Sequence, residues 1–330
     1  MVKIGSLELG EFPLLLAPME DVSDPPFRGI CKSFGCDMLY TEFVSVEGLI
    51  RNANKSVQKL DINNEERPVG IQIFGSDEAS MVAAAKIIEN TRPDVLDINY
   101  GCPVKKVVCK MAGAGILQDI DKMIRLTKAV VNATTLPVTV KTRLGWDENS
   151  INIIEVAERL QDIGVQAIAI HGRTRKQMYT GEAYWSLIGK VKENPRMHIP
   201  IFGNGDIDSP QKALEYKNRY HVDGIMIGRA SIGRPWIFRE VKAYLNGEPI
   251  PDPPSLEEIV SIVLNHLSKS IQWKGERVGI AEMKRHYSNY FRGRKDISHY
   301  RSMLVRAESF AEVEDLTSQI ISHYQELEMV

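Results

Sequence analysis

The sequence predicts an α/β fold, a (β/α)8 TIM barrel followed by a small all-helical C-terminal domain. Eight short apolar runs recur at a steady interval, each followed by a polar or glycine-containing loop and then a helical pattern. The runs are too continuously apolar for a sheet with one wet face, which marks parallel strands covered on both sides. The rhythm then stops near residue 245, at Asn246-Gly247-Glu248-Pro249-Ile250-Pro251-Asp252-Pro253-Pro254. So Pro-rich a stretch is a stiff connector, incompatible with a helix interior.

In order, strands are expected over 14–17, 38–41, 69–74, 95–99, 138–142, 167–171, 199–203 and 224–227. A helix over 77–90 begins at Ser76 or Asp77 as cap and buries Met81, Val82, Ala85 and Ile88. A second, over 149–163, turns Ile153, Ile154, Val156 and Leu160 inward. A doubly wound open sheet is the competing architecture, but it calls for fewer strands and a Gly-rich turn after the first. Here that turn reads Pro18-Met19-Glu20-Asp21. The division is thus a barrel over 1–245, a linker over 246–254 and helices over 255–330. Ser255 caps the first of these, with Glu257 and Glu258 in its opening turns.

Bulk properties narrow the function. A net charge of −2 gives no global signal for a polyanion, so such a site must come from local clustering. Cys31, Cys36, Cys102 and Cys109 fit no secreted disulfide framework, and the Cys31/Cys36 spacing lacks the second pair that a metal site needs. No metal is expected. With neither a signal-peptide pattern nor a run of about eighteen apolar residues, the expectation is a cytoplasmic protein without membrane attachment.

Barrel chemistry sits on the loops at the carboxyl ends of strands. Those ends read Pro18-Met19, Thr41-Glu42, Gln72 with Phe74, Asn99 with Cys102, Lys141 with Arg143, His171 with Arg173, Asn204-Gly205-Asp206 and Gly228-Arg229. Singly, each has a plain explanation: a turn amide, a satisfied core histidine, a lysine with a buried stem. Jointly, polar groups collect at one end while strand interiors stay apolar. The glycine loops after strands seven and eight let backbone N–H groups approach an anion, and Arg229 adds charge, which suits a phosphate-bearing cofactor. Lys141 suits an anion developing on a reduced flavin. Gln72, Asn99 and His171 offer hydrogen bonds to a planar heterocycle. Cys102, with an ordinary pKa of about 8.5, is a candidate general acid; the nucleophile reading needs a depressed pKa and a base that the sequence does not name.

On these residues the chain resembles the tRNA-dihydrouridine synthases, in particular their bacterial B-type subgroup. The matching stretches are Leu16 to Met19 with Asp24 to Arg28, Asp97 to Val108, Lys141 to Trp146, His171 to Arg175, Gly203 to Ile207, and Gly228-Arg229 leading to Gly233-Arg234-Pro235-Trp236. Tyr100 stands where the family has an aliphatic residue or Phe. The resemblance implies an FMN enzyme in which Pro18, Met19, Gln72, Lys141, His171, Asn204, Gly205, Asp206, Gly228 and Arg229 contact FMN. It implies NADPH (or NADH) as reductant, hydride delivery to C6 of a tRNA uridine, and protonation of C5 by Cys102. Asn99, Arg143, Arg173 and Arg175 would face the substrate. The helical part would grip tRNA through Lys284, Arg285 and Arg292, in a stretch that interleaves cations with aromatics. A solvated basic face over an aromatic core explains that stretch equally well. No obligate protein partner is implied. Two rival readings remain: an FMN oxidoreductase for a free small molecule, similar to dihydroorotate dehydrogenases, and a non-catalytic tRNA-binding protein.

Overall fold

Eight parallel strands close into a ring in the computed structural model, which describes residues 1–328. The strands are β1 (Leu14–Leu16), β2 (Leu39–Tyr40), β3 (Val69–Phe74), β4 (Val95–Tyr100), β5 (Val138–Arg143), β6 (Ala167–His171), β7 (Ile201–Asn204) and β8 (Gly224–Ile227). Each pairs in parallel with its sequence neighbour, β8 returns to β1 at Met226↔Leu15, and a parallel bridge Leu15↔Met38 joins β1 to β2 and closes the barrel. A short hairpin, Lys3–Ile4 with Leu7–Glu8, was not expected from the sequence; two-residue strands leave no periodic signal. Val2, Ile4 and Leu9 from this segment join Leu15, Met38, Tyr40, Val95, Phe202 and Met226 in one apolar cluster inside the ring.

Helices follow the strands: α1 (Pro25–Ser33), α2 (Val46–Ile50), α3 (Glu78–Glu89), α4 (Ile120–Val131), α5 (Ile153–Asp162), α6 (Trp185–Glu193), α7 (Pro210–Tyr220) and α8 (Ile237–Leu245). Asp77 is the cap of α3, its carboxylate accepting from Ser80 N at 2.9 Å. The buried face of α3 runs through Met81, Ala84, Ala85 and Ile88, leaving Val82 only half-buried. In α5 the expectation for Ile154 fails: the buried stripe runs through Ile153, Val156, Ala157 and Leu160, and Ile154, about 100° round the helix from Ile153, faces solvent.

The 246–255 stretch carries no helix or strand. Beyond it come α9 (Leu256–Lys274), α10 (Glu276–Tyr290), α11 (Ser298–Leu304) and α12 (Phe310–Glu328). Residues 329–330 of the expected helical part lie outside the described residues. Ser255 and Glu258 cap α9 reciprocally. These helices share an apolar core of their own that includes Trp236, Val263, Leu267, Tyr287, Tyr290, Phe291 and Ile320. Gly233 (φ +66°) lets the chain pass α10, since a Cβ there would lie 2.6 Å from Asn289 Cβ and 2.7 Å from Tyr290 N.

The helical part docks on α1. Lys274 Nζ lies 2.8 Å from Asp24 Oδ2 while Asp24 Oδ1 caps α1, and Trp273 donates to Asp61 at 2.8 Å. The Phe27 ring stacks on His266 and lies 5.0 Å from the ring of His286. Among the described residues no helix is long and apolar enough to cross a membrane.

Burial pushes His266 down to about 4, against an ordinary 6.5 and against the pull of Asp24, and pushes His286 well below 6.5, where His266, Arg285 and Lys274 add to the effect. The unfolded chain therefore takes up protons that the folded chain refuses between about pH 6.5 and 4. This contribution to stability is whole above that window and is lost as pH falls through it. Thermal unfolding followed by circular dichroism should show Tm dropping in the window. His286→Phe should flatten the drop without lowering Tm at neutral pH, because His286 Nδ1 is buried without a hydrogen bond. An identical slope in the variant would assign the acid limit to other groups.

Candidate active site

Alternation along the strands decides what faces the barrel interior. Apolar side chains fill the end capped by the hairpin, and polar ones crowd the carboxyl end. There a cavity of about 740 Å³ opens, within the range of small-molecule sites.

The thiol stands at one edge. Asn99, at the end of β4, accepts from the N–H groups of Gly101 and Cys102 at 2.9 Å each, which folds the turn and turns Cys102 to the cavity. Cys102 is only 7% exposed, packed with Val107 and Ala112 beside Phe43 and Phe74. Burial pushes its pKa up, more than Arg143 and Lys141 pull it down. The thiol is protonated at neutral pH.

Lys141 on β5 reaches into the cavity, where its ammonium donates to Asn204 Oδ1 at 3.3 Å. Burial, then repulsion from Arg143, lower it to about 8. His171 on β6 is held well below its ordinary value by burial and by Arg143, Lys141, Arg173 and Arg229. It is neutral. Arg173, which can only donate, lies 3.3 Å from His171 Nε2, so the ring proton sits on Nδ1.

Asn204 ends β7 with its amide on Met226 O at 2.8 Å. Gly205 follows at φ +122°, a conformation open to glycine, and a Cβ there would meet Ala183 Cβ at 2.8 Å. Both oxygens of Asp206 are turned onto cations, Oδ2 to Arg173 (2.7 Å) and Oδ1 to Arg229 (3.4 Å). After β8, Gly228 opens the 3-10 turn 229–231, whose leading N–H groups point out of the turn. Pro18, Met19, Gly228 and Arg229 complete this wall.

Arg143 and Arg173 are buried, each at 2% exposure. Arg143 donates to Gly101 O (2.7 Å), Thr174 O (3.0 Å) and Met178 O (2.8 Å). Arg173 donates to Thr180 O (3.1 Å) and to Gly181 O. Together they hold the 174–181 loop over the cavity. Among the residues singled out from the sequence, Gln72 does not line the cavity; it is wholly buried, with its amide between Asp97 and Asn99. Arg175 also stands off it, lying over the Trp146 ring and donating to Pro103 O at 3.3 Å. Arg285 faces the barrel and donates to Asp21 O at 2.8 Å, Lys284 stays half-exposed, and Arg292 reaches the cavity wall.

Sequence reasoning missed Tyr179, whose half-exposed ring lies at the cavity, 4.7 Å from the Arg229 guanidinium and 5.5 Å from that of Arg143. An aromatic near Gly181 in the polar stretch after β6 was the available signal. The donor set has a clear chemical preference. Lys141 is desolvated with one weak neutral partner, and Arg229 and Arg292 stand exposed nearby, so the wall fits an anionic, phosphate-bearing ring ligand such as a flavin nucleotide.

Fold and cavity define a (β/α)8 barrel whose working mouth joins a protonated thiol to a desolvated cationic wall. The family model described as "Dihydrouridine synthase (Dus)" matches residues 15–325, and the chain belongs to that family. It is 42% identical over 291 residues to tRNA-dihydrouridine synthase B of Pseudomonas aeruginosa, covering 88% of this chain and 86% of that one. It is 40% identical over 304 residues to tRNA-dihydrouridine synthase B of Vibrio vulnificus, covering 91% and 92%. Among solved structures, histamine dehydrogenase from Rhizobium sp. 4-9 shares the fold at TM-score 0.55 and 13% identity, over 79% of this chain and 50% of that one. Morphinone reductase does so at TM-score 0.53 and 11% identity, over 76% and 91%.

Arg143→Lys tests the clamp on the loop, since an ammonium cannot reach three carbonyls set in a fork. Hydrogen exchange read by mass spectrometry should quicken across 174–181 and leave β3 and β4 protected. Unchanged exchange in the loop would mean that Arg173 holds it alone.

Proposed function

We propose that the protein is a flavin-dependent tRNA-dihydrouridine synthase that uses FMN and takes its reducing equivalents from NADPH. The observation that carries the mechanism is the buried, protonated thiol of Cys102 on the wall that Lys141 and Arg229 make cationic. Saturating the C5–C6 bond of a uracil ring needs a hydride at C6 and a proton at C5. FMN, when bound and reduced, supplies the hydride equivalent.

The chain's own groups divide the rest. The glycine loops after β7 and β8, with Arg229, hold the phosphate, and Lys141 balances negative charge on the ring system. Asp206 aims Arg229 and Arg173 rather than meeting an anion itself. Cys102 holds the proton on Sγ, gives it to C5, and regains one from water. Burial serves this role, because a thiol kept protonated is a general acid and a poor nucleophile. A thiol set inside this cavity reaches a uridine only after the base leaves its stack, at a cost of about a few kcal/mol.

A second groove of about 580 Å³ adjoins the cavity, sharing Arg229 and Arg292 with it and adding Arg294 from the helical part. This basic path supports an RNA substrate over a free small molecule. Arg285, turned onto the barrel, is better suited to fixing the helical part than to touching RNA.

The test is to incubate bulk tRNA from cells lacking the gene with purified protein and NADPH, then quantify dihydrouridine by mass spectrometry. New dihydrouridine is expected. A yellow protein whose flavin is reduced by NADPH without product would favour a small-molecule oxidoreductase. Cys102→Ala should lower the rate of product formation by about 100-fold or more while flavin reduction by NADPH stays normal; near-normal product formation would remove the general-acid role. Neutralising Lys284 and Arg292 together should weaken tRNA binding and lower its salt slope by about two. Affinity unchanged at every salt concentration would return both to a solvated face.

A further inference from the structure

Asp97 lies inside the barrel, one interior position below Asn99 on β4, and is 2% exposed. It accepts from Gln72 Nε2 at 2.6 Å and from Thr139 Oγ1 at 2.5 Å. Gln72 Oε1 in turn accepts from Asn99 Nδ2 at 2.7 Å, and Asn99 Oδ1 accepts from the N–H groups of Gly101 and Cys102. Strand register builds this line, since Gln72, Asp97 and Thr139 sit directly opposite one another on β3, β4 and β5.

A carboxamide is nearly symmetric in shape, so packing alone does not choose its orientation; hydrogen-bond partners do. A carboxylate only accepts. The end of Gln72 that meets Asp97 must therefore be its NH₂, which leaves its oxygen for Asn99. Asn99 must then offer its own NH₂ to Gln72, which leaves Oδ1 for the turn. Reversing either amide would set oxygen against oxygen in a dry interior, at a cost of about 1–3 kcal/mol for each unsatisfied group.

We propose that Asp97 is a positioning residue for the reaction, acting through Gln72 and Asn99 to hold the Gly101-Cys102 turn and so to place the thiol. The inference rests on reading Cys102 as the proton donor. Gln72, with both ends of its amide engaged, serves as the middle link of this line.

The test uses the full-length protein carrying Cys109→Ser, which removes the exposed thiol while Cys31 and Cys36 stay buried. Iodoacetamide alkylation of Cys102, followed by mass spectrometry, reads the turn without reference to tRNA. Asp97→Leu and Gln72→Met break the line at different points, and both should speed alkylation severalfold as the turn loosens. They should lower kcat for dihydrouridine formation by about 100-fold with the KM for tRNA little changed. Asp97→Asn retains an acceptor for Gln72 and should restore both readouts to within about threefold. Thr139→Val removes a hydrogen bond to the same carboxylate without touching the line; it should lower Tm yet leave alkylation unchanged. Folded Asp97→Leu or Gln72→Met protein with an unaltered alkylation rate would overturn the proposal, as would a Thr139→Val variant with the same fast alkylation. If wild-type protein makes no dihydrouridine, the proposed function fails separately, and the alkylation series still reports on the line.

Discussion

The guanidinium of Arg143 is the contact on which the site depends. Burying it costs several kcal/mol of hydration, and three carbonyls from two segments offset that cost. One of them, Gly101 O, belongs to the turn that carries the thiol; the other two belong to the loop that carries Tyr179. One side chain thus fixes the distance between the two sides of the cavity. Its charge also reaches beyond its bonds, helping to depress Lys141 and to keep His171 neutral. Nearly every polar group at this mouth feels a cation that has no carboxylate of its own.

That imbalance explains why the mouth suits anions although the chain as a whole is slightly negative. The acids that might neutralise it are engaged elsewhere. Asp206 holds two arginines in place, and Asp97 sits deeper, bonded to Gln72 and Thr139. The excess positive charge is left to the exposed side chains of Arg229 and Arg292 and to the tip of Lys141. An anion entering here meets Lys141 already stripped of water and Arg229 already oriented by Asp206, a preorganisation that strengthens electrostatic stabilisation.

The ring of strands was legible because a parallel strand buried on both faces must be a short apolar run. Its strand ends were legible because polar residues cannot remain inside such a run without a purpose. Side-chain orientation was not legible. Nothing in a linear sequence says that Arg143 and Arg173 bend back onto loop carbonyls, or that both ends of the Gln72 amide are engaged inside the barrel. Ile154 failed for another reason, since at 3.6 residues per turn it lies off the stripe of Ile153, Val156, Ala157 and Leu160 that packs inward. The basic stretch 283–295 held two readings, and the structure divides it between them. His286, Tyr287 and Tyr290 are core, Arg285 is an anchor, and Arg292 faces the cavity.

The docking of the helical part on α1 has a consequence for how the chain comes together. The first β–α unit leaves the ribosome early, with Phe27 and the Asp24 carboxylate awaiting partners on α9 and α10, more than two hundred residues downstream. The barrel likewise cannot close until β8 returns to β1. Two long-range closures therefore meet on one early segment, a topology of high contact order that folds slowly. Until β8 emerges that segment presents the unpaired edge of a short strand, and until the last helices emerge it presents an uncovered aromatic face. Nascent or truncated chains are thus the forms of this protein most exposed to misassociation.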